Sequence, residues 1–486
     1  MSTSPRVIVD AALLGENYEV SGPCEIEFSD GRIARIRSLN RSERQTGQPR
    51  LLGLPSLVDA HNHARPLSTT SFGCGGQRLE TWLPQLAVMP SVDVYTAAAA
   101  SFARSLRGGA TSVMVHLTRP MGKLSLPEEA REIARAARDV GVSIGLAISM
   151  RDRNPLVYGD HETLLKGFSE QERLLVQKTW LRPLPDVVDQ LQLVDNVSEA
   201  LKGIENHVDV QYGPTGVQWC SDELLAGIAK ASAKSGRRIH MHLLETDAQR
   251  RWADATYPTG IVSHLSKIGM LSPRLTLAHC VWARPEELDH IGSAGARIAV
   301  STSSNLHLFS GIASVINMQK AGVEVAMGLD GCALDEDDDA LRELRLFHIL
   351  NHSHGFGREG VSSTDALRAA CVFGRTGLGL SAGGVLSEGM PADMLVLDLD
   401  MLDPDALMEV DPRHYLFSRA TKAHIVDAYR SGCQVIRNGE LTGVDLQALE
   451  QTLRHEYRLA LKETDDLSGV WETLKHRIST HYQGCC

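Results

Sequence analysis

Two histidines two residues apart, His61 and His63, close an apolar stretch that runs through Leu54, Pro55, Ser56, Leu57 and Val58. Leu57 and Val58 favour a strand, and Pro55 sits near its start, where a missing N–H is tolerated. Residues two apart on a strand share a face, so the two imidazoles converge at its C-terminal end. Imidazole is a common zinc ligand, so the pair could open a metal site; it also fits two polar residues at a strand exit. Other apolar runs carry similar groups: His116, then His240, His242 and Glu245, then His279, then Asp330. An ionisable group buried alone is costly, so this recurrence at one end of several runs indicates a shared polar site.

His61, His63 and His242 offer neutral imidazoles and Asp330 a carboxylate. That donor set suits one divalent ion, zinc or alternatively iron, with a position left for water. Water on such an ion ionises near neutral pH. Asp330 can both ligate and accept a proton. Glu245, three residues beyond His242, can shuttle a proton to substrate. His279 can hydrogen-bond the water or the oxygen of a tetrahedral intermediate. His240 lies one layer deeper than His242 and reads as core or as support for the ligands. Trp82, Gln85, His116, Tyr212, Asn305 and His307 occupy strand ends or following loops and are candidate substrate contacts. His116 reads equally well as a satisfied core histidine. His348, His352 and His354 lie away from the strand ends and read as surface residues. The acidic run 335–339 reads as the cap of the next helix.

The elements that must position these groups alternate. Apolar runs at 54–63, 110–117, 142–150, 208–213, 238–245, 275–281, 297–304 and 323–330 are separated by helical patterns such as 95–106, 127–140, 222–235, 285–294, 312–321 and 339–352. Several helices meet a glycine before the next strand, as helix C-caps do. Eight such units predict an α/β fold, a closed (β/α)8 TIM-type barrel whose chemistry lies at the C-terminal strand ends. An open doubly wound sheet is weaker, because no Gly-x-Gly-x-x-Gly follows the first strand. The long connection 151–205, with a helix at 170–180, is either a lid or a surface excursion. Both ends of the chain are β-like, at 7–9, 24–28, 33–36, 392–398, 425–429 and 434–436. Neither end alone could bury a core, so one small β-sandwich built from both termini is expected. The division is then 1–53 and 381–445 for that domain, 54–380 for the barrel and 446–486 for a helical extension.

Among 486 residues, 43% are hydrophobic and 22% charged, with a net charge of −11. An acidic chain disfavours nucleic-acid partners, since phosphate neutralisation needs clustered Lys and Arg. No apolar run of membrane-spanning length and no leader pattern is present, which predicts a cytoplasmic protein without a membrane partner. The nine cysteines form no Cys-x-x-Cys pair, so neither a cysteine zinc site nor a disulfide framework is expected.

The motifs jointly resemble the amidohydrolase superfamily, in its branch of mononuclear-metal aminohydrolases. That branch includes chlorotriazine hydrolases and deaminases of guanine, cytosine and S-adenosylhomocysteine. The resemblance rests on Leu54 to His63, on Thr81-Trp82-Leu83, on Gly213-Pro214, on His240 to Thr246 and on Leu277-Ala278-His279-Cys280. It extends through Ser304-Asn305-Leu306-His307, Gly328-Leu329-Asp330-Gly331 and the return Gly389 to Asp398. Two departures stand out. Cys332-Ala333-Leu334 and five acidic residues replace the usual Ser-Asn turn, and strand four ends without the lysine that bridges two metals in binuclear relatives. The resemblance implies one metal ion and deamination of a small heterocycle, such as a pterin, purine, pyrimidine or triazine. In it, metal-bound hydroxide attacks the ring carbon, Glu245, His279 and Asp330 assist, and ammonia leaves. It also implies a homo-oligomer. Hydrolysis of another C–N, C–Cl or C–S bond and a non-catalytic scaffold are the alternatives; the scaffold is disfavoured because no ligand is missing.

Overall fold

Eight parallel strands stand side by side in chain order in the computed structural model: Leu57–Asn62, Ala110–Leu117, Ser143–Met150, Val208–Pro214, Ile239–Leu243, Leu275–His279, Arg297–Val300 and Glu324–Met327. These are barrel strands one to eight. The structure describes residues 5–40, 43, 49–204, 206–331, 336–463 and 467–483. The barrel closes where the backbone leaving strand eight meets strand one. Leu329 N and Asp330 N donate to His61 O at 3.2 and 2.7 Å, and Leu329 N also donates to Asp59 Oδ1 at 2.9 Å. Gly328 permits that approach, since a Cβ there would lie 2.8 Å from His61 Cβ. The strands are buried along nearly their whole length, as expected when helices cover a parallel sheet.

Strands five, six and eight end two or three residues short of the sequence expectation, and three further elements differ from it. The run 54–63 is two strands, not one: Leu51–Pro55 pairs antiparallel with Met394–Asp398 in the terminal sheet, and barrel strand one starts at Leu57. Ser56 is the junction, its N–H donated to Asp393 O while Leu57 N turns to Gly109 O. Strand seven ends at Val300 rather than 304, and a short helix Thr302–His307 follows. The buried Glu343 carboxylate accepts from Thr302 N and Ser303 N at 2.7 and 3.1 Å, which satisfies a helix start. The helix expected at 312–321 begins later, at Val315–Lys320.

The termini form two sheets. One is Arg6–Val9, Cys24–Ser29 and Arg32–Ser38; the other joins strands from both ends, with Leu51–Pro55 and Met394–Asp398 at its centre. Met394 and Val396 face the first sheet, and Leu395 and Leu397 face the barrel core, the period-two pattern of a strand buried on both sides. Helix Leu446–Ala460 packs Leu453 and Tyr457 on Val94–Arg107. Helix Ser468–Gln483 lays Trp471, Leu474 and Ile478 on Leu156, Leu165 and Val176 of the 151–205 connection. That connection also carries Glu170–Trp180 and Val187–Ala200.

Among the described residues, no helix is long and apolar enough to cross a membrane. Cys24, Cys74, Cys220, Cys280 and Cys371 are buried free thiols and Cys433 is exposed; Cys332, Cys485 and Cys486 lie outside the described residues. Of the acidic run, Asp335 also lies outside them, and Asp339 caps helix Ala340–Asn351 through Arg342 N. His348 packs on Phe417 and His352, away from the strand ends.

Candidate metal centre

The C-terminal strand ends bring His61, His63, His242, His279 and Asp330 to one point. The ligand atoms of His61, His242 and His279 lie within 4.8 Å of one another, as do those of His61, His63 and Asp330. Asp330 Oδ1 is 3.0 Å from His63 Nε2 and 3.5 Å from His61 Nε2. Strand register explains the convergence: His242 and Ala278 are paired neighbours, and so are Leu243 and His279.

Each ring is held from behind. His63 Nδ1 donates to His116 O at 2.7 Å, His242 Nδ1 to Thr215 O at 2.7 Å, and His279 Nδ1 to Asn305 Oδ1 at 2.9 Å. With Nδ1 carrying the proton, each Nε2 turns a bare lone pair toward the centre. His61 Nδ1 meets His240 Nε2 at 2.8 Å, which makes His240 a support for a ligand. Burial first, then the neighbouring histidines, holds His61 and His242 well below the ordinary imidazole pKa, so both stay neutral. The Nε2 atoms of His61 and His279 are buried with no hydrogen-bond partner. Buried polar atoms are nearly always satisfied, so these two lone pairs fit donors to a cation. The set of imidazoles plus one carboxylate fits zinc or ferrous iron.

The acids differ in state. Burial pushes the Asp330 carboxyl up, but His63, His279 and Arg65 outweigh it and hold Asp330 below the usual carboxylate range. Ser304 Oγ donates to Asp330 Oδ2 at 2.6 Å. Glu245 is driven well above the usual range by burial, then by the charges of Asp330 and Glu80. Its Oε2 lies 3.8 Å from His279 Nε2. Asp330 and His279 both have left-handed backbones, φ 67° and 72°. Non-glycine residues rarely adopt that conformation, and it is commonly paid for at functional sites.

The candidate substrate contacts separate into three groups. Trp82 and His307 share a cavity of about 160 Å³ with Gln77 and Glu336. Gln85 is spent on Gly73 O and Gln77, whereas Asn305 accepts from His279 through Oδ1 and keeps a buried amide nitrogen without a partner. Tyr212 is corrected by the structure, while His116 sits in the core, the alternative its strand-end position left open. His116 lies beneath the cluster, its Nε2 on Gly213 O at 3.0 Å and its ring stacked on His63 and His242; burial lowers its pKa to about 3. Tyr212 is one register step off: it points out of the barrel, where its hydroxyl accepts from Arg237 at 3.2 Å. Sequence reasoning missed Arg65, Thr118, Thr215 and Ser304. Arg65 follows His63 by two residues and could have been found there. It donates to Asp330 O at 3.0 Å and stacks on Trp82 with 4.9 Å to the ring centre.

Comparison with known proteins gives a consistent picture. The model of the Amidohydrolase family matches residues 53–441. A 5'-deoxyadenosine deaminase from Methanosarcina barkeri is 32% identical over 214 residues; the match spans 44% of this chain and 49% of that protein. The enzyme of the same description from Methanosarcina mazei is 26% identical over 81% of this chain and 83% of its own length. An adenosine deaminase from Xanthomonas campestris with bound zinc superposes with a TM-score of 0.75 at 20% identity, over 94% of this chain and 98% of that one. At that identity the superposition bears on the fold alone.

Proposed function

The chain belongs to the amidohydrolase family, and from that premise we propose that it is a metal-dependent deaminase of an amino-substituted nitrogen heterocycle of pterin, purine, pyrimidine or triazine type. The observation that carries this reading is the placement of two carboxyl groups, Glu245 pushed above and Asp330 held below the usual carboxylate range, beside one cluster of bare imidazole nitrogens. His61, His63, His242 and Asp330 would hold a single divalent ion, zinc in preference to iron. His279 Nε2 is close enough to be a fifth donor. Such an ion, when bound, makes water nucleophilic at neutral pH.

The remaining work falls to this chain's own groups. Glu245, kept protonated by burial, donates its proton to the ring nitrogen beside the carbon under attack. Asp330, kept anionic, accepts the proton that the incoming water loses and returns it to the departing amine, while Glu245 recovers a proton from the remaining hydroxyl as ammonia leaves. Ser304 fixes the Asp330 carboxylate for that transfer. His279, locked by Asn305, presents its Nε2 lone pair 3.8 Å from Glu245 and 3.9 Å from Asp330, where it can accept a hydrogen bond from the attacking water. The deaminase descriptions of the relatives support the same bond type. Ammonia release from the zinc-loaded protein, screened across aminopurines, aminopyrimidines, pterins and aminotriazines, tests the proposal. Release from at least one class is expected. Release of chloride or thiol from substituted rings, with no ammonia from any amine, would overturn it.

A further inference from the structure

A cavity of about 50 Å³ lies against His63 and counts Arg65 and Arg119 among its lining residues, with Thr118 next to Arg119 in sequence. We infer that this cavity is a subsite for an anionic substituent of the substrate, a carboxylate; the inference rests on the deaminase reading and deepens it.

Arg65 is 12% exposed at its side chain and sits 3.7 Å from Asp330 Oδ1, its flat face on the Trp82 indole. Asp330 is its sole carboxylate partner among the described residues, and that same carboxylate is a candidate ligand of the metal. One negative charge therefore serves both a guanidinium and a divalent ion. Arg119 lines the same cavity and donates to Met89 O; among the described residues no carboxylate forms an ion pair with it. Glu129 also lines the cavity, but its two oxygens accept from Met121 N and Gly122 N at 2.7 and 3.2 Å. Arginine stays charged under all ordinary conditions, and partly buried cations demand a counter-ion. The remaining wall is apolar, with Leu86, Met89 and Leu117 among its residues, which thins the water and strengthens any ion pair formed there. A guanidinium fork matches a carboxylate with two parallel hydrogen bonds. The volume suits one such group, since a water molecule takes about 30 Å³ of liquid. Arg65 touches both this cavity and Asp330, so a ring over the metal centre could place a substituent here.

The test is calorimetric titration of the zinc-loaded protein with 2-aminopyrimidine-5-carboxylate, the matching 5-carboxamide and acetate. The carboxylate is expected to bind at least about 10-fold tighter than either the carboxamide or acetate. Arg119→Met should weaken carboxylate binding by about 10-fold or more while leaving carboxamide binding within about 3-fold, which also reports an intact site; Arg65→Met should weaken carboxylate binding at least as much. Zinc content of each variant is measured alongside; Arg119 touches no candidate ligand, so its variant separates anion binding from metal loss. Equal affinity for carboxylate and carboxamide in the wild type, or failure to bind the carboxylate at all, would overturn the inference. Acetate binding as tightly as the ring carboxylate would show a site for free anions and would also overturn it. Ammonia release confined to uncharged heterocycles would sink this inference and leave the deaminase reading standing. Preferential carboxylate binding without ammonia release from any amine would do the reverse.

Discussion

On the floor of the barrel mouth, each imidazole is fixed by a partner on a neighbouring strand or in the segment just beyond it: His63 by His116 O, His242 by Thr215 O, His279 by Asn305. The rim is held by groups far apart in the chain. Tyr158 donates to Glu80 at 3.2 Å and packs edge-on against Trp219 and Tyr482, and Trp180 Nε1 donates to Pro84 O at 2.8 Å. The floor thus inherits its geometry from a closed sheet, and the rim from contacts between loops and the C-terminal helix. Rigid, hydrogen-bonded floors suit metal ligation and proton transfer, which tolerate little displacement. Loop-built rims suit selection among substrates.

Substitutions on the two regions should differ accordingly, and the largest effects belong to the floor. His242→Ala should strip the metal and lower ammonia release by about 10⁴-fold or more, read by elemental analysis and a coupled ammonia assay. Glu245→Gln should keep the metal but lower kcat by about 10³-fold. Because Glu245 acts protonated, wild-type kcat should fall as pH rises through its raised pKa, and that alkaline limb should vanish in the variant.

Glu343 tests the floor through stability. Burial raises its carboxyl to about 7 from an ordinary 4.5, against the pull of the Ser303 and Thr302 contacts. The folded state holds this proton more tightly, so the contribution is full below the ordinary value and is lost as pH rises through about 7. The difference corresponds to about 3 kcal/mol. Denaturant titrations from about pH 5 to about pH 8 should show wild-type stability declining by up to that amount relative to Glu343→Gln, whose profile stays flatter. Parallel profiles would remove Glu343 from this role. The smallest effect belongs to the rim: Tyr158→Phe deletes one hydroxyl bond to Glu80 and should change KM by about 3-fold with kcat nearly intact. A kcat loss as large as that of Glu245→Gln would erase the distinction between floor and rim.

The same division marks what could be read from the sequence. Period-two spacing announced His61 and His63, and apolar runs ending in ionisable groups announced His242, His279 and Asp330, because a strand projects its residues by local rule. The helix at 170–180 and the terminal strands were legible for the same local reason. Tyr212 shows how narrow that rule is: one step along the strand moves a side chain from the barrel interior to its outer layer. The break at Ser56 was hidden because Pro55 and Leu57 look equally strand-like, and it takes Asp393, far along the chain, to bond Ser56 N. The helix at Thr302 was hidden likewise, its cap being supplied by Glu343. Arg65 continued the spacing of His61 and His63, but its role was hidden because its contacts, Trp82 and Asp330, are each reached through a loop or a distant strand.

The central claim is that the strand-end cluster holds one divalent ion on which deamination depends. Elemental analysis of the purified protein, paired with ammonia release before and after chelation and again after zinc is returned, tests it most directly. The account predicts about one equivalent of metal per chain, loss of ammonia release on chelation and its recovery with zinc. A metal-stripped protein that releases ammonia at the unstripped rate would contradict it.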